Sequence, residues 1–443
     1  MLLDFNNTKI HIVCQQYVCT NIRFDRNLSE IWFDFKSTQK TEEVYCPYCG
    51  GNNAEIHDGG DIVLKDMPLY IGVPQFFKVW RHRYKCRCCL KRFSEDICFK
   101  DPDTRVTRRA AEFIRELCSY KVTTNSISKL TGIHWNTIRA IHSRVMNNEL
   151  ETHFNELKRS GYKPQCLAVD EFAIHKGQTY ATCVMDLETG MVLWVGKGRS
   201  TKDFRKFFQE FDPDYLSEVK AIAMDMNAPY HIVVEECMPN AKIVYDRYHL
   251  QSLFSVEVLN PVRIYEAKKH KENAKDMRAF WKEETDSEFK KDWKQQYKEE
   301  REKYKSVMNT RWSILKNNRN LAEQEKDTLE SILANHKDLA VCYAMKEEMS
   351  RLYELTDVKE ARTGWISWFK AAKESGIERL VHFANNKEKR IEGLISHAIY
   401  PISTCKLEGV NNKTKVAKRI AYGYRNDEYF FTLVKYMSIP KKT

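Results

Sequence analysis

Two sets of residues in this chain of 443 have the types and spacing to do chemistry. The first is a pair of Cys-x-x-Cys motifs, Cys46-Pro47-Tyr48-Cys49 and Cys86-Arg87-Cys88-Cys89. Each presents two thiolates from one turn, so together they suit a closed tetrahedral site of the structural zinc type. Cys86 lies 37 positions after Cys49, more than the usual ribbon spacing, but two intervening strands paired as a hairpin would bring the motifs together. Gly50-Gly51 suits the backbone reversal after the first pair. The crowded second motif leaves either Cys88 or Cys89 as the fourth ligand, beside Cys46, Cys49 and Cys86. The other nine cysteines have no partner motif and read as core or surface thiols.

The second set is acidic. Asp170 lies inside the apolar run CLAVDEF, where a buried charge is costly unless paired or metal-bound. Asp225 ends the run AIAMD, at the carboxyl end of a strand, where open α/β sheets put their sites. Glu408 falls on the last helix, with Asn412, Lys415 and Arg419 on the same face at i+4, i+7 and i+11. Two Asp and one Glu converging would hold two divalent cations about 3.5–4 Å apart and promote in-line attack at phosphorus. Mg2+ or Mn2+ suits such oxygen ligands. Singly, each acid reads equally well as a cap, a turn residue or an ion-pair partner; Asp186 and Glu188 are more simply hairpin-turn residues. Asp246 and His249, in YDRYHL at another strand end, read either as auxiliaries of the site or as a structural pair.

These groups need elements to position them. Residues 1–100 carry short β-like runs between Gly, Pro and Asn breaks (His11 to Phe24, IWFDF, QFFKVWRHRYKC), which predicts a strand-rich module holding the cysteines. Residues 101–155 change to helical spacing, with Ala110, Phe113, Ile114 and Leu117, then Ile127, Leu130, Ile138 and Ile141. Within them Thr123 to Arg139 has the layout of a helix-turn-helix: a short helix ending at Gly132, an apolar Ile133, and a second helix whose start carries Trp135, Asn136, Thr137 and Arg139, types that read base edges. An ordinary helical hairpin has the same layout. Residues 165–250 alternate strand and helix, an α/β core. Residues 251–395 show only long charged helices, and 396–443 return to the helix of Glu408, from about Ser403 to Gly423. Trp281, Trp293, Trp312, Trp365 and Trp368 read as core anchors of the helical stretch.

The formal charge is +11, with 42% apolar residues. That apolar content argues against a disordered scaffold. No run approaches the ~18 apolar residues of a spanning helix, and the start, MLLDFNNTKIHIVCQQ, lacks the ordered regions of a signal peptide. The expectation is a cytoplasmic, nucleoid-associated bacterial protein. The charge is uneven: residues 76–109 carry +7, residues 401–443 carry +6, and the rest of the chain sums to −2. The first stretch offers Arg81, Arg83, Lys91, Arg92, Arg108 and Arg109 to a polyanion, and the second surrounds Glu408.

Taken in order, the cysteine pairs, the helix-turn-helix, AVDEF, AMDMNAPY, YDRYHL and LEGVNNKTKVAKRIAYGYRN resemble the bacterial insertion-sequence transposases of the ISL3 family over nearly the whole chain. The resemblance implies a multidomain α/β protein with a ribonuclease H-like catalytic core, interrupted by an all-helical insertion and preceded by a zinc-binding module and a helix-turn-helix. It implies Asp170, Asp225 and Glu408 as an Asp-Asp-Glu triad binding divalent metal, in a core made of residues 165–250 and 396–443 around the insertion at 251–395. The expected partners are double-stranded DNA, both the terminal inverted repeats and the target, and a second copy of the chain to hold the second end. The expected activity is strand cleavage and strand transfer. The alternatives are a transposase-derived DNA-binding regulator without catalysis, and a structure-specific nuclease that needs no helix-turn-helix.

Overall fold

The computed structural model describes residues 16–25, 29–120, 122–175, 177, 179–316 and 318–440. Two compact units form: residues up to Phe154 together with Ala417–Tyr436, and Asn155–Val416 together with the residues from Met437. No helix among the described residues is long and apolar enough to cross a membrane.

The first unit begins with a sheet of β1 (Tyr17–Phe24), β2 (Ile31–Ser37), β3 (Ala54–Tyr70), β4 (Val73–Cys86) and β5 (Arg92–Ser94), in the order β1-β2-β4-β3 with β5 on β4. The run expected from His11 starts as a strand at Tyr17; His11 to Gln15 lie outside the described residues. Period-2 alternation turns Ile31, Phe33 and Phe35 of β2 and Phe77 and Val79 of β4 into one core with Leu64. β3 and β4 are the hairpin that the cysteine spacing requires, with Ala54 paired to Cys86. Cys98, expected as a thiol, is disulfide-bonded.

Three helices follow. Thr107 caps α1 (Arg108–Ser119) by accepting from Ala110 N–H at 3.2 Å. Thr123 caps α2 (Thr124–Thr131) in the same way, through Ser126 N–H at 3.1 Å. Gly132 ends α2 at φ +67°, a left-handed conformation that glycine adopts without strain. α3 (Trp135–Arg159) runs beyond the expected end because Met146 and Leu150 continue its buried stripe. The three helices pack on Ala110, Ile114, Ile127, Ile133, Ile138 and Ile141.

The second unit holds a sheet of β6 (Cys166–Ala173), β7 (Tyr180–Asp186), β8 (Val192–Lys197), β9 (Ala221–Met224) and β10 (Lys242–Tyr245), in the order β10-β9-β6-β7-β8. β6, β7 and β8 are antiparallel, whereas β9 and β10 run parallel to β6. Every residue of β9 is buried, as an interior parallel strand demands. Asp186 closes the β7–β8 turn, accepting from Glu188 N–H at 3.0 Å. α4 (Thr201–Glu210) starts on a Ser200–Asp203 capping box, and α5 (Ala228–Cys237) opens with Pro229.

From Arg247 to Tyr400 the described residues contain no strand. α6 (Arg247–Phe254) passes through a π-helical turn (Ser255–Leu259) into α7 (Asn260–Glu283), followed by α8 (Ser287–Asn309), α9 (Arg311–Leu315), α10 (Glu323–Asn335), α11 (Lys337–Leu352), α12 (Val358–Glu374), α13 (Glu378–Glu388) and α14 (Ile391–Ile395). Trp365 and Trp368 are buried beside Phe254, Phe369 and Phe383, as core anchors should be. Trp312 departs from that expectation, being 68% exposed on the short α9.

The closing segment 396–443, expected as one piece of the core, is divided between the units. α15 (Cys405–Ile420) carries Glu408 in the second, while most of α16 (Asp427–Ser438), which the sequence reading did not name, clusters with the first. There Tyr429 Oη meets the buried His142 Nδ1 at 2.7 Å.

Candidate functional site

Both cysteine pairs sit on reverse turns at the same end of the β3–β4 hairpin. Cys46 N–H donates to Gly51 O at 2.8 Å and Gly50 N–H to Cys46 O at 2.9 Å, with Gly50 at φ +72°. The second turn repeats the plan with Cys86 N–H on Lys91 O at 2.9 Å and Leu90 at φ +60°, an uncommon conformation for a leucine. The sulfurs of Cys46, Cys49, Cys86 and Cys89 all lie within 4.8 Å of one another. Cys46–Cys89 and Cys49–Cys86 are each 3.6 Å apart. Four thiolates about 2.3 Å from a zinc ion would stand about 3.8 Å from each other, so the cluster could hold zinc. Cys89 rather than Cys88 is the fourth member of this cluster. The Cys89 N–H, helped by that of Cys88, pulls the Cys86 thiol down to about 6.

The basic residues nearby divide by how they are engaged. Arg83 forks onto Asp58 with both contacts at 2.5 Å, and Arg109 grips the buried carboxylate of Asp66. Arg81 donates to Glu95 O at 3.3 Å and Arg108 to Lys100 O at 3.2 Å. Lys91 lies over the Tyr48 ring and, like Arg92, is exposed. In the helix-turn-helix, Lys65 Nζ donates to Gly132 O at 2.7 Å and so ties the turn to the sheet. Trp135 and Asn136 stand exposed at the start of α3, with the Arg139 guanidinium 5.3 Å from the Trp135 ring centroid. Thr137 is half-buried. The His134 ring accepts the Asn136 N–H at 3.2 Å and settles the helix start.

The two aspartates come from neighbouring strands, Asp170 from within β6 and Asp225 from just past the end of β9. The parallel pairing of β6 and β9 runs to Val169 opposite Met224, so both follow one step past the last pair. Burial pushes the Asp170 carboxyl up to about 6; Glu171 N–H and the His249 ring pull the other way, and the charges of Glu171 and Asp225 add to the rise. β10 contributes Asp246, which is buried and structural. Its Oδ1 caps α6 through Tyr248 N–H at 2.8 Å and His249 N–H at 3.2 Å. Its Oδ2 takes both Thr404 N–H and Thr404 Oγ1 at 2.9 Å. Asp246 thereby fixes the start of α15 against the strand ends, and His249 remains beside Asp170.

α15 then splits into two stripes. Leu407, Val410, Asn411 and Thr414 are buried, while Glu408, Asn412, Lys415 and Arg419 are exposed on the single face their spacing predicts. Among the described residues, only the four cysteines form a His, Cys, Asp or Glu cluster with ligand atoms all within 4.8 Å, so Glu408 is not drawn up to both Asp170 and Asp225. The α15 residue that reaches Asp170 is Asn411, whose Nδ2 donates to Asp170 Oδ2 at 2.8 Å. The sequence reading missed it; the available signal was a polar residue inside the apolar stripe of an otherwise two-faced helix. It also missed Arg390, whose guanidinium donates to Met226 O and steadies the loop after Asp225.

The ISL3 transposase family model matches residues 167–434, and the model described as the helix-turn-helix domain of transposase family ISL3 matches residues 95–145. The chain is 29% identical over 393 residues to the transposase for insertion sequence element IS1001 of Bordetella parapertussis, covering 88% of each chain. It is 23% identical over 313 residues to the transposase for insertion sequence element IS1557 of Mycobacterium tuberculosis, covering 70% of this chain and 66% of the relative. With well over half its length matched, the chain belongs to the ISL3 family of insertion-sequence transposases and carries that family's helix-turn-helix DNA-binding domain.

Proposed function

We propose that this transposase binds the terminal inverted repeats of its insertion sequence and cleaves and transfers DNA strands, with Asp170, Asp225 and Glu408 as ligands of divalent magnesium or manganese. The observation that carries the reading is the β6–β9 register, which brings Asp170, within β6, beside Asp225, the first residue after β9, one step past the last pair of these adjacent central strands. Three antiparallel strands continued by two parallel ones, with a helix returning over the strand ends, support a ribonuclease H-like core. The donor set is all oxygen and Asp170 is half-buried with its carboxyl pushed up by desolvation, an environment that favours a cation with oxygen ligands. Bound there, two such ions would activate the attacking oxygen and stabilise the leaving one. Glu408 sits one turn before Asn411 on a helix tied to Asp246, and its exposed side chain is the third ligand.

The DNA-binding residues are assigned from the exposed polar and basic residues beside the cysteine turns and on α15, and from the start of the recognition helix α3, where Thr137 and Arg139 are half-buried. Lys91, Arg92, Trp135, Asn136, Thr137 and Arg139 are assigned to the repeat, and Asn412, Lys415 and Arg419 to the strand near Glu408. The Cys46, Cys49, Cys86 and Cys89 site holds zinc as a structural ion, and two chains pair the two ends before target joining.

The test incubates purified protein with a labelled duplex carrying the element's own end, plus Mg2+ or Mn2+, beside an Asp225→Ala variant. Metal-dependent nicks and joined products should form with the unmutated chain and vanish in the variant, with end binding retained in both. End binding without any product from the unmutated chain would overturn the reading in favour of a DNA-binding regulator.

A further inference from the structure

Asn411 is 2% exposed, and its amide has one partner where it needs two. Nδ2 donates to Asp170 Oδ2 at 2.8 Å, but Oδ1 is buried with no donor within reach among the described residues. The orientation of the amide follows from chemistry: an ionised carboxylate only accepts, so the NH2 end must face Asp170. Asp170 Oδ1 already takes the Glu171 N–H at 2.8 Å. Each carboxylate oxygen therefore has one hydrogen bond and keeps a lone-pair direction free. A buried carbonyl oxygen without a donor is costly, and such a group in a native fold calls for an explanation. Replacing Asn411 by an apolar residue would remove that cost and extend the buried apolar face of Leu407 and Val410, so its presence is not accounted for by packing.

We propose that Asn411 is a positioning residue for the cation of the carboxylate site: its amide N–H fixes Asp170 in the orientation that ligates the ion, and its Oδ1 accepts a hydrogen bond from a water bound to that ion. This rests on the assignment of Asp170 and Asp225 as ligands. It makes Asn411 the link through which Asp246 and Thr404, by fixing α15, also fix the geometry of Asp170. Outer partners of this kind hold first ligands in place, and removing one typically weakens metal affinity about 10–100-fold.

The probe is Mn2+ alone, followed by calorimetry and electron paramagnetic resonance, with the full-length, zinc-loaded protein. Unmutated protein, Asp225→Ala, Asn411→Ala and Asn411→Ser are compared. Asn411→Ala should bind Mn2+ about 10–100-fold more weakly, with an altered resonance spectrum, while Asn411→Ser, which keeps a donor and an acceptor, recovers part of the affinity. Thermal unfolding without added ion should change little in Asn411→Ala, whereas the rise in Tm on adding Mn2+ should disappear. Unchanged Mn2+ affinity in Asn411→Ala, or a fall in the ion-free Tm with the Mn2+-induced rise intact, would overturn the positioning role and leave Asn411 a packing residue. If the unmutated protein binds Mn2+ no better than Asp225→Ala, the carboxylate assignment itself fails, a different outcome from either of these.

Discussion

The cysteine site and the carboxylate site are built in opposite ways. The four sulfurs come from two short turns joined by one hairpin, and they stand at tetrahedral spacing. The carboxylates come from the middle of one strand, the end of its neighbour and a helix far along the chain, and Glu408 stays exposed on its helix. A set of local turns can be finished by backbone hydrogen bonds alone. A set of carboxylates brought together cannot, because burial disfavours each charge and neighbouring carboxylates add to that cost, as in the upward shift of Asp170, which burial drives first and the charges of Glu171 and Asp225 increase. The first arrangement suits a part of the fold and the second a place where charge is to be compensated by something bound.

The largest effect should come from breaking the sulfur site. Cys86→Ser, or a strong chelator, removes a ligand of an ion whose binding in small domains is worth about 10 kcal/mol or more and is inseparable from folding. The expected result is loss of bound zinc, protease sensitivity confined to the first unit, and loss of binding to the end duplex. Mn2+ binding that depends on Asp225 should survive in the same sample. If it is lost as well, the two sites are not independent in the way their construction suggests.

That contrast also explains what could be read in the sequence. The hairpin between the cysteine pairs, the three helices and every strand around Asp170 and Asp225 were legible, because each follows from local periodicity and turn residues. What stayed hidden depends on distant pairs. The Asp246–Thr404 bonds join residues 158 apart and the Asn411–Asp170 bond joins residues 241 apart. No periodicity signals that Asp246 is tied to Thr404 while Asp225, one strand away and likewise just after its strand, makes no such long-range bond among the described residues. The membership of α16 in the first unit rests on side chains such as Tyr429 meeting His142, again invisible to a local window.

The Asp246 strut is the next test. Asp246→Ala strands two N–H groups of α6, and the N–H and hydroxyl of Thr404, in a buried place. A lost cap costs about 1 kcal/mol and each stranded buried donor about 1–3, so the second unit should lose roughly 3–4 kcal/mol by denaturant unfolding. Asp225→Asn should do the reverse and leave ion-free stability unchanged or raised, since it relieves a charge beside Asp170. Equal destabilisation by both would erase the distinction between strut and ligand.

A pH titration probes the first unit. Burial lowers the His142 pKa from 6.5 to about 4. Between those values the unfolded chain takes up a proton that the folded one refuses, so the stabilisation is full above about 6.5 and is lost as pH falls toward 4. At 1.36 kcal/mol per pH unit the loss approaches about 3 kcal/mol. His142→Asn should flatten the dependence of unfolding on pH across this window, relative to the unmutated chain. An unchanged slope would mean that His142 is solvated rather than sealed against Tyr429.

The smallest effects separate cations already committed to carboxylates from those proposed to contact DNA. Arg83 is paired with Asp58 and Arg109 with Asp66, whereas Lys91 and Arg92 have exposed side chains beside the cysteine turns. A phosphate contact releases counterions, and each one lost lowers the slope of log affinity against log salt by about 0.9. Lys91→Ala and Arg92→Ala should each reduce the slope for the end duplex by about that amount and weaken binding modestly at low salt. Arg83→Ala should leave the slope as it was and shift stability by less than about 1 kcal/mol, the usual worth of an exposed pair. A slope that falls equally for Arg83→Ala would mean that the Asp58 pair opens on DNA, and that the intramolecular ion pairs of the first unit serve as a store of contacts exchanged for phosphate when an end is bound.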